Sequence, residues 1–238
     1  MENLVLLASI IFAAALLQAS TGFGFSIVGT PFLFLLFPIH TAIQINIILS
    51  ICLSGFMIYN IRKEIDKPLL LKLIKGSLFG LIAGLLVYLY SNVQWLKVIV
   101  GGFIIVLTAL LILKLTIRQS RFRDYLVGGI SGLLTTSIGV PGPPLLLYFS
   151  GVGTNKAALR STTLAYYLFV YFASLAMQIG FDGTNKEVWT SSLVGLPSLI
   201  VGILAGQLIF KWINQRAFQI ITYIILLFTG FSLIMTVF

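Results

Sequence analysis

Charge is what this sequence has least of. Charged side chains make up 9% of its 238 residues, against roughly 25% in a soluble domain. Hydrophobic residues make up 59%, and the mean hydropathy is +1.09. Such a chain cannot cover a water-facing surface, so it is an integral membrane protein and the lipid bilayer is its first partner. Its apolar stretches have the length of helices rather than the alternating short segments of an outer-membrane barrel. The single cysteine, Cys52, excludes an internal disulfide. The single histidine, His40, has no second histidine and no acid within an apolar run to orient it, which excludes a serine–histidine–acid hydrolase. Met1-Glu-Asn3 lacks a positive n-region, so the first apolar run is expected to stay in the protein rather than leave as a signal peptide.

Acidic residues are scarcer still. All six (Glu2, Glu64, Asp66, Asp124, Asp182 and Glu187) fall in loops or at expected helix ends. No carboxylate is left inside a span to carry a proton or hold a sodium ion, which argues against a cation pump. No cofactor and no metal is implied. The net charge of +9 does not signal nucleic acid, because the basic residues sit at helix ends and in short loops, where they orient a membrane protein.

Against this apolar background, two interruptions stand out. The first is Gln18-Ala-Ser-Thr-Gly-Phe-Gly-Phe-Ser-Ile-Val-Gly-Thr-Pro31, which divides the apolar run between Leu4 and Phe37. The second is Thr135-Thr-Ser-Ile-Gly-Val-Pro-Gly-Pro-Pro144. Non-helical backbone at membrane depth survives only where protein or a water-filled cavity supplies partners. Paired interruptions in two halves of a chain point to a transporter's binding site; a kink or tight turn between helices is the bland alternative. Leu4–Leu17 falls short of the roughly 20 residues that span a bilayer, so each half opens either with a re-entrant hairpin or with two short tilted spans.

Helices are predicted over Thr41–Asn60, Pro68–Tyr90 and Trp95–Leu113. In the second half they cover Lys156–Gly180, Val188–Phe210 and Ala217–Val237. The halves repeat. Gly80–Ile112 aligns with Gly202–Ile234 without a gap, setting Gly80-Leu-Ile-Ala-Gly84 on Gly202-Ile-Leu-Ala-Gly206 and Asn92 on Asn214. The repeat divides the chain into residues 1–113, a basic linker 114–123, and residues 124–238. Gly76, Gly80 and Gly84, matched by Ser198, Gly202 and Gly206, form a small-residue ridge. Such a ridge serves internal packing or a sliding or homodimer face.

Lysine and arginine are concentrated in 61–67, 114–123 and 211–216, and are few in 91–94 and 181–187. By the positive-inside rule the first set faces the cytoplasm and the second faces outside. Matched loops then lie on opposite sides, so the repeats are inverted and their hairpins enter from opposite faces. The expected fold is an all-α polytopic membrane protein of two inverted repeats, each a broken-helix hairpin followed by three transmembrane helices.

A helix that starts at a break turns its N–H groups and positive dipole end toward the gap, which favours an anion. Thr30-Pro31 and Gly142-Pro143 both read as an N-cap followed by proline at the first helical position. Arg160 offers a planar fork to an oxyanion, or snorkels to the interface beside Lys156. Gln44 and Asn46 fall on the positions of Arg160 and Thr162 in the repeat, and either line a cavity or bond neighbouring helices.

Gly22-Phe-Gly-Phe-Ser-Ile-Val-Gly-Thr-Pro31 and Gly139-Val-Pro-Gly-Pro-Pro-Leu-Leu-Leu-Tyr148 resemble the paired signatures of the sulfite exporter TauE/SafE family. Lys156-Ala-Ala-Leu-Arg-Ser-Thr162 is similar to the short basic stretch that follows them. Pro141 stands where the family usually has glycine, and Arg160 where a small residue is common. The resemblance implies a small permease for sulfite, sulfonates or related organosulfur anions. Gly22, Gly24, Ser26, Gly139 and Gly142 would shape the anion site, with Thr21, Ser137 and Thr162 as hydroxyl donors. Arg160 would supply a counter-charge, and Ser161, Gln44 and Asn46 complete the expected substrate-binding set. The expected function is export of a small sulfur-containing oxyanion across the cytoplasmic membrane. A permease for carboxylates and a non-transporting membrane scaffold are the alternatives.

Overall fold

The computed structural model describes residues 2–91, 93–113, 119–152, 156–210 and scattered positions between 220 and 235. Every regular element among them is helical. The expected turn 211–216, most of the last helix, residues 114–118 of the linker and residues 153–155 lie outside the described residues.

Each half opens with a helix pair divided at an interruption. α1 (Glu2–Thr21) precedes α2 (Phe25–Leu36), and α6 (Arg121–Ile138) precedes α7 (Gly142–Val152). Longer helices follow: α3 (Ile39–Ile61), α4 (Lys67–Tyr90) and α5 (Val93–Ile112) in the first half, α8 (Lys156–Phe181) and α9 (Lys186–Phe210) in the second. α3, α4, α8 and α9 are long and apolar enough to cross a membrane. Their outward sides carry exposed large apolar residues such as Phe79, Phe172 and Leu193, as lipid contact requires. The fold is that of a polytopic helical membrane protein.

Local chemistry sets the boundaries. Asp66 caps α4 by accepting from Leu69 N–H at 3.0 Å, and Pro68 occupies the first turn, where its missing N–H is harmless. α6 begins earlier than its apolar run. Ser120 caps it, accepting from Arg123 N–H, so Arg121–Arg123 belong to the helix and not to the linker. α2 corrects another expectation. It starts at Phe25, so Pro31 sits inside the helix and Thr30 is not its cap. Proline has no N–H for the carbonyl four residues back, a loss that membrane helices tolerate where neighbours supply other partners.

Helices of the two halves interleave. α4 lies along α6, and α1 lies along α9; α3 packs on α8. The small-residue ridge explains how closely the first pair approaches. Cβ atoms on Gly76, Gly80 and Gly84 would strike the backbone of α6 at Tyr125, Gly129 and Leu133. On α9, a Cβ on Gly202 would stand 2.7 Å from the Phe12 carbonyl oxygen of α1, and one on Gly206 would stand 2.5 Å from that of Leu16. These ridges are internal packing surfaces.

Two loops clasp the opposite half. In loop 61–67, Asp66 N–H donates to Thr162 Oγ1 of α8 at 3.0 Å. In loop 181–187, the Gly183 carbonyl accepts from Gln44 of α3 at 2.9 Å, and Asn185 donates to Thr41 at 3.1 Å. Asp182 there accepts from His40 at 2.9 Å and from Tyr88 at 3.1 Å, with the His40 and Tyr88 rings stacked at 4.2 Å.

Asp124 departs from what its position suggests. It lies in the first turn of α6 but is fully buried, paired with Lys72 of α4 at 2.9 Å and accepting from Tyr148 of α7. A carboxylate in the first turn also faces the positive end of the helix dipole.

Candidate functional site

The first interruption is short. α1 closes on Gly22, whose N–H donates to the Gln18 carbonyl at 2.7 Å and whose φ of +85° suits glycine. Gly24, at φ +121°, precedes α2, and the Gln18 side chain accepts from Phe25 N–H at 2.9 Å. One glutamine therefore bridges the gap and caps the new helix. The second interruption ends α6 on Gly139 in the left-handed region. Its N–H bonds the Thr135 carbonyl at 2.8 Å, and Val140 N–H bonds that of Leu134 at 3.2 Å. Ser131 donates to the Pro141 carbonyl at 2.8 Å, and α7 starts at Gly142 with Pro143 in its first turn.

Each interruption is held by a helix of the other half. Arg160, one turn into α8 and 9% exposed, donates through Nη2 to the Ala19 carbonyl at 2.6 Å. A Cβ on Gly22 would stand 3.0 Å from Arg160 Cγ. Asn46 of α3 donates through Nδ2 to the Gly139 carbonyl at 2.9 Å, and its Oδ1 lies 3.3 Å from where a Cβ on Gly29 would be.

Between these two grips the starts of α2 and α7 lie side by side. A Cβ on Gly142 would meet Ile27 of α2 at 3.1 Å and the Tyr167 hydroxyl of α8 at 3.0 Å. The Tyr167 and Tyr171 rings pack edge to face at 5.4 Å, and the Tyr171 hydroxyl sits beside those of Ser26 and Ser50. All four residues are buried; the hydroxyls of Ser26, Ser50 and Tyr171 have only one another for neighbours, and that of Tyr167 has no hydrogen-bond partner. An unmatched buried hydroxyl costs about 1–3 kcal/mol.

The expected site residues separate under this geometry. Gly22, Gly24, Ser26 and Arg160 gather at the first interruption, and Gly139 and Asn46 at the second, with Gly142 between them. Gln44 and Thr162 instead engage the two clasping loops. Ser137 donates to the Leu133 carbonyl and Ser161 to that of Ala158, each within its own helix. The side chain of Thr21 lies outside the described residues. The sequence reading missed Ser50, Tyr167 and Tyr171. A signal was there: Asn46, Ser50 and Ser54 recur every four residues along α3, as do Thr163, Tyr167 and Tyr171 along α8.

Two helix pairs divided at buried glycines, each gripped by the opposite half and flanked by buried hydroxyls, define a multi-pass membrane protein of the transporter class. The family model of the sulfite exporter TauE/SafE matches residues 7–233, and the chain belongs to that family. Membership makes it a membrane transporter of sulfite or related anions. No curated protein and no solved structure matches the chain.

Proposed function

We propose that this permease exports a small sulfur-containing oxyanion across the cytoplasmic membrane, binding it between the starts of α2 and α7. The observation that carries this reading is the meeting of two helix N-termini at the buried hydroxyls of Ser26, Ser50, Tyr167 and Tyr171, of which that of Tyr167 has no partner. Helix N-termini favour negative charge, and hydroxyls donate to oxyanion oxygens. Pro143 and Pro144 bring no N–H to the first turn of α7. Tyr167, beside Gly142, is placed to supply the donor that the prolines lack.

Two arrangements support an inverted repeat. Exchanging the halves turns the α1–α9 pair into the α6–α4 pair, and both are long tight contacts. It also turns the clasp of loop 61–67 on α8 into that of loop 181–187 on α3. With the lysine-rich loops inside, an inside-negative potential drives an anion outward with no coupling ion.

A thermal-shift screen of purified protein tests the substrate class. Sulfite, sulfonates or thiosulfate should raise the melting temperature, and small carboxylates should not. Stabilisation by carboxylates alone would replace sulfur oxyanions as the cargo.

A further inference from the structure

A groove of about 630 Å³ runs along the outer side of the α4–α6 pair. Phe79 and Ala83 of α4 and Ile130 and Leu133 of α6 line its length, and nearly all of its surface is apolar. The two helices begin at the same end of the molecule: Lys72 pairs with Asp124, Gly76 faces Tyr125, and Gly80 faces Gly129. Lys75 lines the groove at that end, is exposed, and has no ion-pair partner among the described residues. Asp124, the acid of the first turn of α6, is buried against Lys72 and leaves the charge of Lys75 unanswered. Ala83 lies eight residues further along α4, about 12 Å at the helical rise. One leaflet's hydrocarbon is about 15 Å deep, so the groove follows a single leaflet from its surface toward the midplane.

We propose that this groove binds an anionic phospholipid of the cytoplasmic leaflet, with the headgroup phosphate at Lys75 and an acyl chain lying along α4 and α6 as far as Ala83. The charge matches: basic pockets between membrane helices hold anionic headgroups, and the positive-inside rule sets the starts of α4 and α6 at the cytoplasmic face. The shape matches as well, because beyond Tyr125 the walls suit a hydrocarbon chain. A second copy fits worse. A twofold axis along the membrane normal would bring the same face of each copy together and set Lys75 against Lys75.

Native mass spectrometry of the delipidated full chain in detergent tests this. The probes are phosphatidylglycerol and phosphatidylcholine with identical acyl chains. Wild-type protein should bind phosphatidylglycerol at least about fivefold more tightly, and Lys75→Gln should remove that preference. Lys63→Gln removes the same charge from an exposed turn outside the groove and should keep the preference. Ala83→Phe fills the far end of the groove and should weaken retention of the lipid without touching Lys75. Equal binding of the two lipids by wild-type protein would overturn the proposal. Equal losses in Lys63→Gln and Lys75→Gln would overturn it too, since the lipid would then follow overall charge and not a site. Unchanged retention by Ala83→Phe would move the chain out of the groove, and wild-type dimers that Ala83→Phe dissolves would put a second copy there; either result contradicts the proposal.

Discussion

Arg160 Nη2 donates to the carbonyl of Ala19 at 2.6 Å, so a residue of the second half closes the end of the first helix of the chain. Asn46 does the reciprocal, donating to the Gly139 carbonyl at the end of α6. Neither interruption is a free turn. Each is completed by a long helix from across the molecule, so movement of α3 or α8 must be felt at the opposite break.

The grip makes Arg160 sensitive to shape as well as charge. Arg160→Lys keeps a cation but loses the fork, and should weaken anion binding less than Arg160→Gln does. Affinities measured on monodisperse variants check this. Equal binding by all three proteins would confine Arg160 to holding Ala19.

Tyr167→Phe removes a hydroxyl that is buried and has no hydrogen-bond partner. It should leave the ligand-free protein as stable or more stable, by up to about 1 kcal/mol, while weakening anion binding by about tenfold. Melting curves with and without ligand read both effects. A loss of both stability and binding would mean that this hydroxyl serves the fold.

Gly80 and Gly102 should respond oppositely to alanine. At Gly80 a Cβ meets the Gly129 carbonyl on a backbone that cannot withdraw, whereas nothing lies within 4 Å at Gly102. Gly80→Ala should lower the yield of monodisperse protein. Gly102→Ala should be neutral or stabilising by roughly 0.5–1 kcal/mol, because alanine is the better helix former. Size-exclusion profiles and melting temperatures distinguish them.

Asp124→Asn should lower stability by several kcal/mol, since it strips the partner from Lys72 in a mostly buried pair. Adding Lys72→Met should recover part of that loss. The folded fraction should still transport, because the side-chain partners of Asp124 are Lys72 and Tyr148 and not the hydroxyl cluster. Loss of transport with unchanged stability would make it part of the ion path.

These contrasts show what the sequence carried. Apolar length and Gly-Pro content located the helices and both interruptions, because bilayer thickness and proline's missing N–H act on the chain locally. Pro31 misled because proline usually opens helices, while here Gln18, seven residues before Phe25, supplies the cap. Asp124 misled because position along a helix does not reveal which face is covered by Lys72 and Tyr148. Tyr167, Tyr171 and Ser50 read as ordinary apolar-helix residues until the fold brought their hydroxyls together. The small-residue ridge left packing and dimer faces open, and only the backbone of α6 at Gly129 decides between them.

Sidedness is open to a direct check. With Cys52, which is exposed, replaced by serine, single cysteines at positions 64 and 185 should label from the cytoplasm and from outside, respectively. Labelling from one side would end the inverted-repeat reading.

The central claim is that an anion crosses at the meeting of α2 and α7. Sulfite efflux from proteoliposomes, under an inside-negative potential, tests it most directly with wild-type protein and Gly142→Val. The added side chain would press on Tyr167 and Ile27 at the proposed binding surface. Wild-type protein should release sulfite well above empty liposomes, and Gly142→Val, incorporated equally and equally folded, should fall to the empty-liposome rate. Efflux by Gly142→Val at the wild-type rate would contradict the account.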